Sequence, residues 1–449
     1  MTRVVLVLLL LIMAVPAWAQ ETVTVNWNDQ HQVIDGFGAF WGWRCSWDPN
    51  AYSDAAMDLL FSPTVGIGAS LVRTRIQDET TSPFACMLAN LQTFMARVHQ
   101  RNPAVPVWAT TWTIPSQWTV NNVLVSGHFQ DYANWLTTYS QTATSLGINL
   151  VGISLCNEPD FGPSGILASD MPTFVKSFLG PTFAANGVTT PIMLPETSEW
   201  GFIGNYATNV LNDAVAQPFV SIITSHDYAF QGYPPYTLAK TTGKKLWETE
   251  VSHFSTVPFD PSINDGLAWA QNIHTALTNA EVNAWHYWEY TQDQTSNEND
   301  NAGLIAGGIA GASPSPPFVL QDTKRVYAMG NFSKFIRPGW IRIGATFTSG
   351  VLASAYKNPA TNDFAIVIIN SSGLSPTVSV TLNGINGFST TIAAWLTSPT
   401  SNLANTNVFS GFGNNFAATV PPTSITTFAA RASASVGIPP TAPTNLRVS

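Results

Sequence analysis

Short apolar segments alternate with amphipathic or alanine-rich segments from residue 36 to about residue 290. The apolar segments contain few polar residues, which is typical of parallel strands that are buried on both faces. This pattern predicts eight strands, at residues 36–43, 70–76, 105–112, 150–158, 191–196, 221–228, 245–251 and 282–290. The segments between them predict helices, among them residues 51–61, 87–100, 131–146, 171–178, 203–216 and 264–280.

Eight strands that are each followed by a crossover, within about 250 residues, are typical of an α/β fold, the (β/α)8 or TIM barrel. An open, doubly wound sheet is the alternative for such a pattern. No glycine-rich phosphate-binding loop follows the first predicted strand, and this favours the barrel.

The pattern changes after about residue 320, where short segments alternate apolar and polar residues between turns rich in Gly, Asn and Pro. Such segments predict an attached antiparallel β-sandwich side domain, with strands at residues 351–356, 364–369, 377–382, 390–396 and 424–429. Residues 22–27 alternate in the same way and are expected to add a strand to it. The predicted organisation is a signal peptide at 1–19, strands of the sandwich at 20–34, the barrel at 35–318, the side domain at 319–431, and a linker with the start of a truncated module at 432–449.

The composition narrows the range of partners. Only 10 % of the 449 residues are charged, against about 25 % in an average protein. Asp and Glu outnumber Lys and Arg by 27 to 18, the net charge is −9, and the chain has no basic run. This balance argues against nucleic acid and anionic membranes as partners. The 16 Trp, 11 Tyr and 25 Phe residues suit neutral, hydroxyl-rich ligands such as sugars.

The N-terminus has the pattern of a secretory signal. Arg3 precedes an apolar run at residues 4–15, and Ala17 and Ala19 form a small-residue cleavage site. The run is shorter than the ~20 residues of a membrane span, and no later stretch is predicted to span a membrane. We therefore expect a protein that is secreted to the exterior or the periplasm.

Three cysteines allow at most one intramolecular disulfide. Cys156 lies in an apolar run and is expected to be a buried thiol. Cys45 and Cys86 lie in loop-like segments and are the better pair for an oxidising compartment. Their spacing gives no support to metal binding.

The candidate chemistry lies at the ends of two predicted strands, because active sites of such barrels lie at the C-terminal strand ends. Asn157-Glu158-Pro159 ends the fourth strand, and a segment containing Glu248 and Glu250 ends the seventh. Two carboxylates that face each other are what glycoside hydrolysis needs, one to protonate the leaving oxygen and one to attack or to activate water.

Glu248 and Glu250 compete for one role. A spacing of two residues would bring both side chains to the same face of a regular strand. Glu250 is nearer the C-terminal mouth and is the preferred nucleophile. Glu248 is expected to be buried deeper, paired with an arginine such as Arg73 or Arg75.

A set of motifs in the right order resembles glycoside hydrolase family 30 through most of the chain. The matching segments are residues 34–38, 71–73, 109–112 with Pro115, 157–160, 226–228, 248–250, 285–288 and 336–344. The resemblance implies a (β/α)8 barrel joined to a β-sandwich that is built from both ends of the chain. It also implies hydrolysis with retention of configuration, without a cofactor or a metal.

The resemblance assigns roles to individual residues. It implies that Glu158 is the acid/base and Glu250 the nucleophile. Asn157 would bind the sugar hydroxyl beside the anomeric carbon, while His226 and Tyr228 would orient the nucleophile. The other expected site residues are an arginine beside the nucleophile, two stacking rings and two cleft candidates after strand five: Arg73, Trp112, Trp288, Glu196 and Trp200.

The substrate expectation is β-1,4-xylan, because residues 157–161, 299–304 and 342–346 look most like the xylan-active branch of the family. Residues 289–300, after strand eight, contain no Arg or Lys to bind a glucuronate branch, so activity should not depend on one there. Arg44 or another basic residue could still supply that contact. The alternatives are an endo-β-1,6-glucanase or β-1,6-galactanase and, in another class, a non-catalytic carbohydrate-binding protein. We expect a monomer that binds polysaccharide.

Overall fold

The structure is a computed structural model that describes residues 20–43, 45, 48–77, 84–161, 165–253, 258–293, 301–307 and 320–433. The predicted signal peptide, Arg44, most of the acidic loop and all but the start of the predicted C-terminal linker lie outside the described residues. Among the described residues, no helix combines the length and the apolar composition needed to cross a membrane.

Strands within the described residues are numbered along the chain. They are β1 Glu21–Val33, β2 Gly36–Phe40, β3 Leu71–Ile76, β4 Val107–Thr111, β5 Thr119–Val120, β6 Val123–Leu124, β7 Leu150–Ser154, β8 Ile192–Thr197, β9 Val220–His226, β10 Lys245–Glu250, β11 Ala284–Asp293, β12 Gly303–Gly307, β13 Ile341–Phe347, β14 Leu352–Lys357, β15 Asp363–Asn370, β16 Thr377–Asn383, β17 Ile392–Thr397, β18 Ala404–Phe409, β19 Asn415–Thr419 and β20 Ser424–Arg431.

The α-helices of the described residues connect these strands or lie between the two sheets. They are α1 Asp54–Phe61, α2 Ala85–His99, α3 Phe129–Ser145, α4 Met171–Phe174, α5 Gly180–Ala185, α6 Ile203–Leu211, α7 Thr237–Thr241, α8 Ile263–Thr275 and α9 Lys324–Ser333. A π-helical turn, Val175–Leu179, joins α4 to α5, and another, Ala276–Ala280, extends α8.

Eight parallel strands close into a barrel, which confirms the predicted fold class. Their order is β2, β3, β4, β7, β8, β9, β10 and β11, and β11 pairs with both β2 and β10 to close the ring. Each of the eight corresponds to a strand predicted from the sequence. Large side chains fill the barrel interior below its mouth, where Trp108 and Trp247 pack with Leu71, Met193 and Ile222. The polar groups that carry chemistry are therefore confined to the upper end.

The side domain is built around a nine-stranded sheet in the order β18-β17-β20-β15-β14-β13-β1-β16-β19. The first strand lies in its interior, antiparallel to β13 and parallel to β16, as the alternation at residues 22–27 predicted. The β1–β16 pair is the one parallel pair in this sheet. The strands β13, β18 and β19 and the helix α9 were not among the predicted elements.

The cysteines follow the sequence expectation. Cys45 and Cys86 form a disulfide with their Cα atoms 5.6 Å apart, and Cys156 is a buried thiol. Burial raises the pKa of the Cys156 thiol to about 12, so it is an inert core group rather than a reactive one.

Asn331 on α9 links the helix to the side domain. Its side-chain amide donates to the Trp395 carbonyl over 3.2 Å and to the Thr427 hydroxyl over 3.0 Å. Its side-chain oxygen accepts from the Thr397 hydroxyl over 2.6 Å. Because all of these groups are buried or partly buried, each depends on the others for a hydrogen-bond partner.

We expect Asn331→Ala to lower the free energy of unfolding by about 1–3 kcal/mol, because it removes the shortest hydrogen bond of the buried Thr397 hydroxyl. Urea denaturation measures the change. Asn205→Ala, which alters an exposed asparagine on α6, is the matched control and should change stability by less than about 0.5 kcal/mol. Equal effects of the two substitutions would contradict this role for Asn331.

Candidate active site

Glu158 and Glu250 meet at the mouth of the barrel. Strand β7 ends at Ser154, earlier than the sequence predicted, and the turn that follows gives Glu158 a φ of 48°. The Glu158 backbone amide donates to the Glu196 carbonyl over 2.9 Å, and the Asn157 amide donates to the Thr111 carbonyl over 2.8 Å. These bonds fix the turn between the ends of β4 and β8, so that the Glu158 side chain, about one-fifth exposed, faces the cleft.

One carboxylate oxygen of Glu158, one of Glu250 and a ring nitrogen of His226 all lie within 4.8 Å of one another. Retaining glycosidases hold their two carboxyl groups about 5–5.5 Å apart, whereas inverting enzymes leave about 6.5–9.5 Å for a water molecule. The observed proximity matches the narrower class.

Glu250 ends β10 and is almost completely buried. Arg73 donates to one of its carboxylate oxygens, and the Tyr228 hydroxyl donates to the other over 2.7 Å. Burial raises the pKa of Glu250, while His226, Arg73 and the Tyr228 hydrogen bond act in the opposite direction. The family resemblance implied that Arg73 lies beside the nucleophile and that Tyr228 orients it, and both contacts are present.

The buried guanidinium of Arg73 connects its own strand, β3, to β8, to β10 and to the turn after β7. Besides Glu250, it donates to the side chains of Asn157 and Glu196. Glu196 also accepts from the Thr110 hydroxyl. Burial alone would raise the pKa of Glu196, but Arg73 and His226 outweigh it and lower that pKa. Glu196 is therefore an ionised partner of Arg73 inside the site and is not exposed to the cleft.

His226 lies between the three carboxylates. Its Nδ1 is 3.0 Å from Glu158, and its Nε2 is 3.5 Å from Glu196 and 3.7 Å from Glu250. Burial would lower the pKa of His226, but Glu250 and the other carboxylates raise it to about 10. His226 is consequently an imidazolium at neutral pH.

Two positive groups compensate the buried carboxylates of this cluster. Arg73 and His226 both lie beside the carboxylates of Glu196 and Glu250. Pairing of this kind is what allows charged groups to be buried.

The triad of Glu158, His226 and Glu250 also has the spacing of a metal site. A histidine ligand must be neutral to bind a metal ion. Because the neighbouring carboxylates keep His226 protonated, this arrangement suits proton chemistry better than metal coordination.

Glu248 is buried as expected, but its hydrogen-bond partners are not the arginines that the sequence suggested. The pairing of β10 with β9 shifts between Glu248 and Glu250, so that Thr249 is an extra residue and the alternation is broken. The two Glu248 carboxylate oxygens accept from the backbone amides of Glu250 and His286, each over 2.9 Å. Glu248 is thus held by backbone amides, and neither Arg73 nor Arg75 is its partner. Burial raises its pKa well above the usual value.

Aromatic rings surround the upper face of Arg73. The guanidinium lies 4.3 Å from the ring centre of Trp112, and Trp288 stacks on Phe40 at 4.8 Å. Trp43 completes this group, 5.5 Å from Trp112 and 6.0 Å from Trp288. Both Trp112 and Trp288 are half-buried, as sugar-stacking walls would be. Sequence reasoning missed Trp43 and Phe40, although the aromatic run at the end of strand one was visible.

Trp200 does not join the site. Only 2 % of it is exposed, and its indole N–H donates to the Pro234 carbonyl over 2.9 Å. Its ring packs edge to face on Tyr233 at 4.9 Å. It is a core residue beneath the loop after β8, so it cannot line the cleft as the sequence had suggested.

Comparisons with known proteins agree over most of the chain. A search with sequence models of protein families finds none that matches. Glucuronoxylanase XynC of Bacillus subtilis strain 168 is 28 % identical over 430 residues, which are 91 % of this chain and 92 % of XynC. The structure of Xyn30A, a glycoside hydrolase family 30 subfamily 8 xylanase from Clostridium acetobutylicum, is 30 % identical over 91 % of this chain and 99 % of its own, with a TM-score of 0.76. GH30 xylanase C from Talaromyces cellulolyticus is 26 % identical over 91 % of this chain and 99 % of its catalytic domain, with a TM-score of 0.75.

The barrel has a close pair of carboxylates at its mouth, and hydrolases of polysaccharides match nearly the full length of the chain. Together these two findings define a glycosidase. The identity and coverage shared with Xyn30A are high enough to identify the family as well as the class of enzyme. The chain belongs to glycoside hydrolase family 30.

The raised pKa of His226 makes stability depend on pH. The folded protein keeps a proton on His226 up to about pH 10, whereas an unfolded histidine loses it near pH 6.5. This contribution is therefore complete below about pH 6.5 and is lost as the pH rises toward 10. We expect the free energy of unfolding of His226→Gln to fall less steeply between pH 7 and 9.5 than that of the unmodified protein.

Urea denaturation at several pH values measures the two slopes, which should differ by up to about 1.4 kcal/mol per pH unit. Asn205→Ala, which alters an exposed side chain that does not titrate, should leave the slope unchanged. Parallel curves for His226→Gln and the unmodified protein would show that His226 is not protonated in the folded state.

Proposed function

We propose that the protein is a secreted, retaining glycoside hydrolase that cleaves β-1,4-xylan by double displacement. The observation that carries the mechanism is the separation of at most 4.8 Å between oxygens of Glu158 and Glu250. The gap is too small for the water molecule that an inverting enzyme places between the anomeric carbon and its base.

In the first step, protonated Glu158 gives its proton to the glycosidic oxygen while Glu250 attacks the anomeric carbon. The carbon–oxygen bond to the leaving sugar breaks, and an ester bond forms between the retained sugar and Glu250. Glu158 is left as a carboxylate. His226, 3.0 Å from Glu158, stabilises this new charge through its imidazolium N–H.

In the second step, Glu158 takes a proton from a water molecule, which attacks the same carbon and breaks the ester bond. The sugar leaves with its original configuration, and Glu158 is protonated again. Arg73 and Tyr228 hold the Glu250 carboxylate through both of its oxygens, so that the group is oriented when it attacks and stabilised when it leaves. Asn157, fixed by Arg73 at 2.6 Å, would contact the hydroxyl beside the anomeric carbon.

The substrate proposal rests on similarity to xylanases and on the aromatic site. Trp43, Trp112 and Trp288 offer ring faces for stacking of sugar rings. A neutral xylan backbone suits this site, and the acidic residues at 289–300 would repel a glucuronate branch. Among the described residues, no contact in the site favours the β-1,6-glycanase alternative. The intact carboxylate pair argues against a protein that only binds carbohydrate. Secretion is proposed from the signal-like segment at residues 1–19.

We expect Glu158→Gln and Glu250→Gln each to lower kcat on xylan by at least about 10²–10⁴-fold, because each removes a group that acts on the reacting bond. Glu248→Gln should retain more activity and should lower stability instead, because its carboxylate binds backbone amides. Initial rates and urea denaturation separate these effects. An inactive Glu248→Gln beside an active Glu250→Gln would reverse the assignment on β10.

Azide distinguishes the two roles. With a nitrophenyl xyloside, whose leaving group needs no acid, Glu250→Ala in azide should give a glycosyl azide of inverted configuration, because azide then attacks the substrate directly. Glu158→Ala should give the retained azide, because azide attacks the ester on Glu250. The opposite pairing of variant and product, read by NMR, would exchange the assigned roles.

The substrate is tested by incubation with glucuronoxylan, arabinoxylan, linear β-1,4-xylooligosaccharides, β-1,6-glucan and β-1,6-galactan, followed by chromatography. We expect neutral xylooligosaccharides from both xylans. Products that all carry glucuronate would show that another basic residue binds the branch. Products from a β-1,6-glycan alone would overturn the substrate and retain the mechanism. Binding without hydrolysis of any of these glycans would favour the non-catalytic alternative.

A further inference from the structure

A cavity of about 220 Å³ lies behind the wall of the active site. It is enclosed by the segment that follows β9, by the end of β10 and by helix α8. Its lining includes Asp227, Phe230, Tyr233, His253, Trp269 and Asn272. It is smaller than the ~300–1,000 Å³ of sites for drug-sized ligands, so it suits a single small ring. None of the residues assigned to catalysis lines it.

Asp227 is the central polar group of this cavity. It lies between His226 and Tyr228 in the chain, and its side chain lines the cavity behind them rather than the cleft. The residue is 0 % exposed. One carboxylate oxygen accepts from the Gln231 amide over 3.0 Å, and the other has no hydrogen-bond partner among the described residues. Burial raises the pKa of Asp227 to about 6. An acceptor that is buried and unpaired is costly unless a ligand or water satisfies it.

His253 supplies a second unpaired polar atom. Its Nδ1 is buried and has no hydrogen-bond partner among the described residues, although the Asp265 carboxylate lies 3.7 Å away. The ring itself remains partly exposed. The cavity therefore offers a carboxylate acceptor and an imidazole nitrogen, which can donate or accept according to its tautomer.

The cavity also has an aromatic wall. Phe230 is 47 % exposed, and its ring centre lies 5.2 Å from that of His253 and 6.2 Å from that of Trp269. A large apolar side chain that is half-exposed beside a polar cavity offers a face on which a flat, partly apolar ring can pack.

We propose that this cavity is a second carbohydrate site, which binds one neutral sugar ring of the size of a pentose. A sugar hydroxyl both donates and accepts, so neighbouring hydroxyls can satisfy Asp227 and His253 together, while the C–H face of the ring packs on Phe230. An ammonium ion only donates, so it would satisfy Asp227 but would offer no acceptor to an imidazole N–H. Binding here needs no chemistry at Glu158 or Glu250, so this site goes beyond the proposed hydrolysis.

The test uses the full-length protein carrying Trp112→Ala, which weakens sugar binding in the cleft. D-xylose is titrated by saturation-transfer NMR, and the remaining binding reports on the cavity. Adding Phe230→Ala should raise the Kd for D-xylose at least tenfold. Phe412→Ala, which removes an exposed ring on the side domain, is the matched control and should leave the Kd unchanged.

Asp227→Asn keeps the shape of the side chain and removes its charge, so it should also weaken D-xylose binding. If Asp227→Asn does not fold, Phe230→Ala still tests the site. Circular dichroism verifies the fold of each variant. The site is overturned if Trp112→Ala abolishes all D-xylose binding or if Phe230→Ala leaves the remaining binding intact. Binding of tetramethylammonium that depends on Phe230, without binding of D-xylose, would overturn the sugar in favour of a cation.

Discussion

The active site depends on one buried arginine. Placing the Arg73 guanidinium away from water is unfavourable unless it is paired and hydrogen-bonded. The pairing comes from Glu196 on β8 and Glu250 on β10, and a further hydrogen bond comes from Asn157 after β7. Because these partners belong to separate strands, Arg73 can be satisfied only when the barrel is closed. The same contacts orient the proposed nucleophile, so the requirement that keeps the fold intact also sets the geometry of the candidate site.

The hydrophobic pattern was sufficient to predict the barrel, because its strands are buried on both faces and its helices cover them. All eight barrel strands were predicted, and β1 was assigned to the side domain. The strands β5, β6, β12, β13, β18 and β19 were missed, since strands that are short or partly exposed resemble loops in sequence. The helix α9 was missed for another reason: it is buried on nearly all sides against both sheets, so it lacks the polar face that marks a surface helix.

The strand-end motifs were sufficient to bring Glu158, Glu250, Arg73, His226 and Tyr228 to one site. What the sequence could not provide was local departure from regular geometry. A two-residue spacing on β10 suggested one shared face, and the extra residue Thr249 breaks that alternation. Trp200 follows a barrel strand as a cleft residue would, yet tertiary packing against Tyr233 turns it into the core. Such bulges and inward turns are decided by contacts between distant segments, which a single sequence does not reveal.

The position of β1 has a consequence for biosynthesis. Val23 in this strand pairs with Phe347 and with Val380, which are made more than three hundred residues later. Until then its alternating valines have no native neighbour, and an unpaired apolar strand is prone to join another chain. The sheet of the side domain can therefore be completed around β1 only after β13 and β16 have been made.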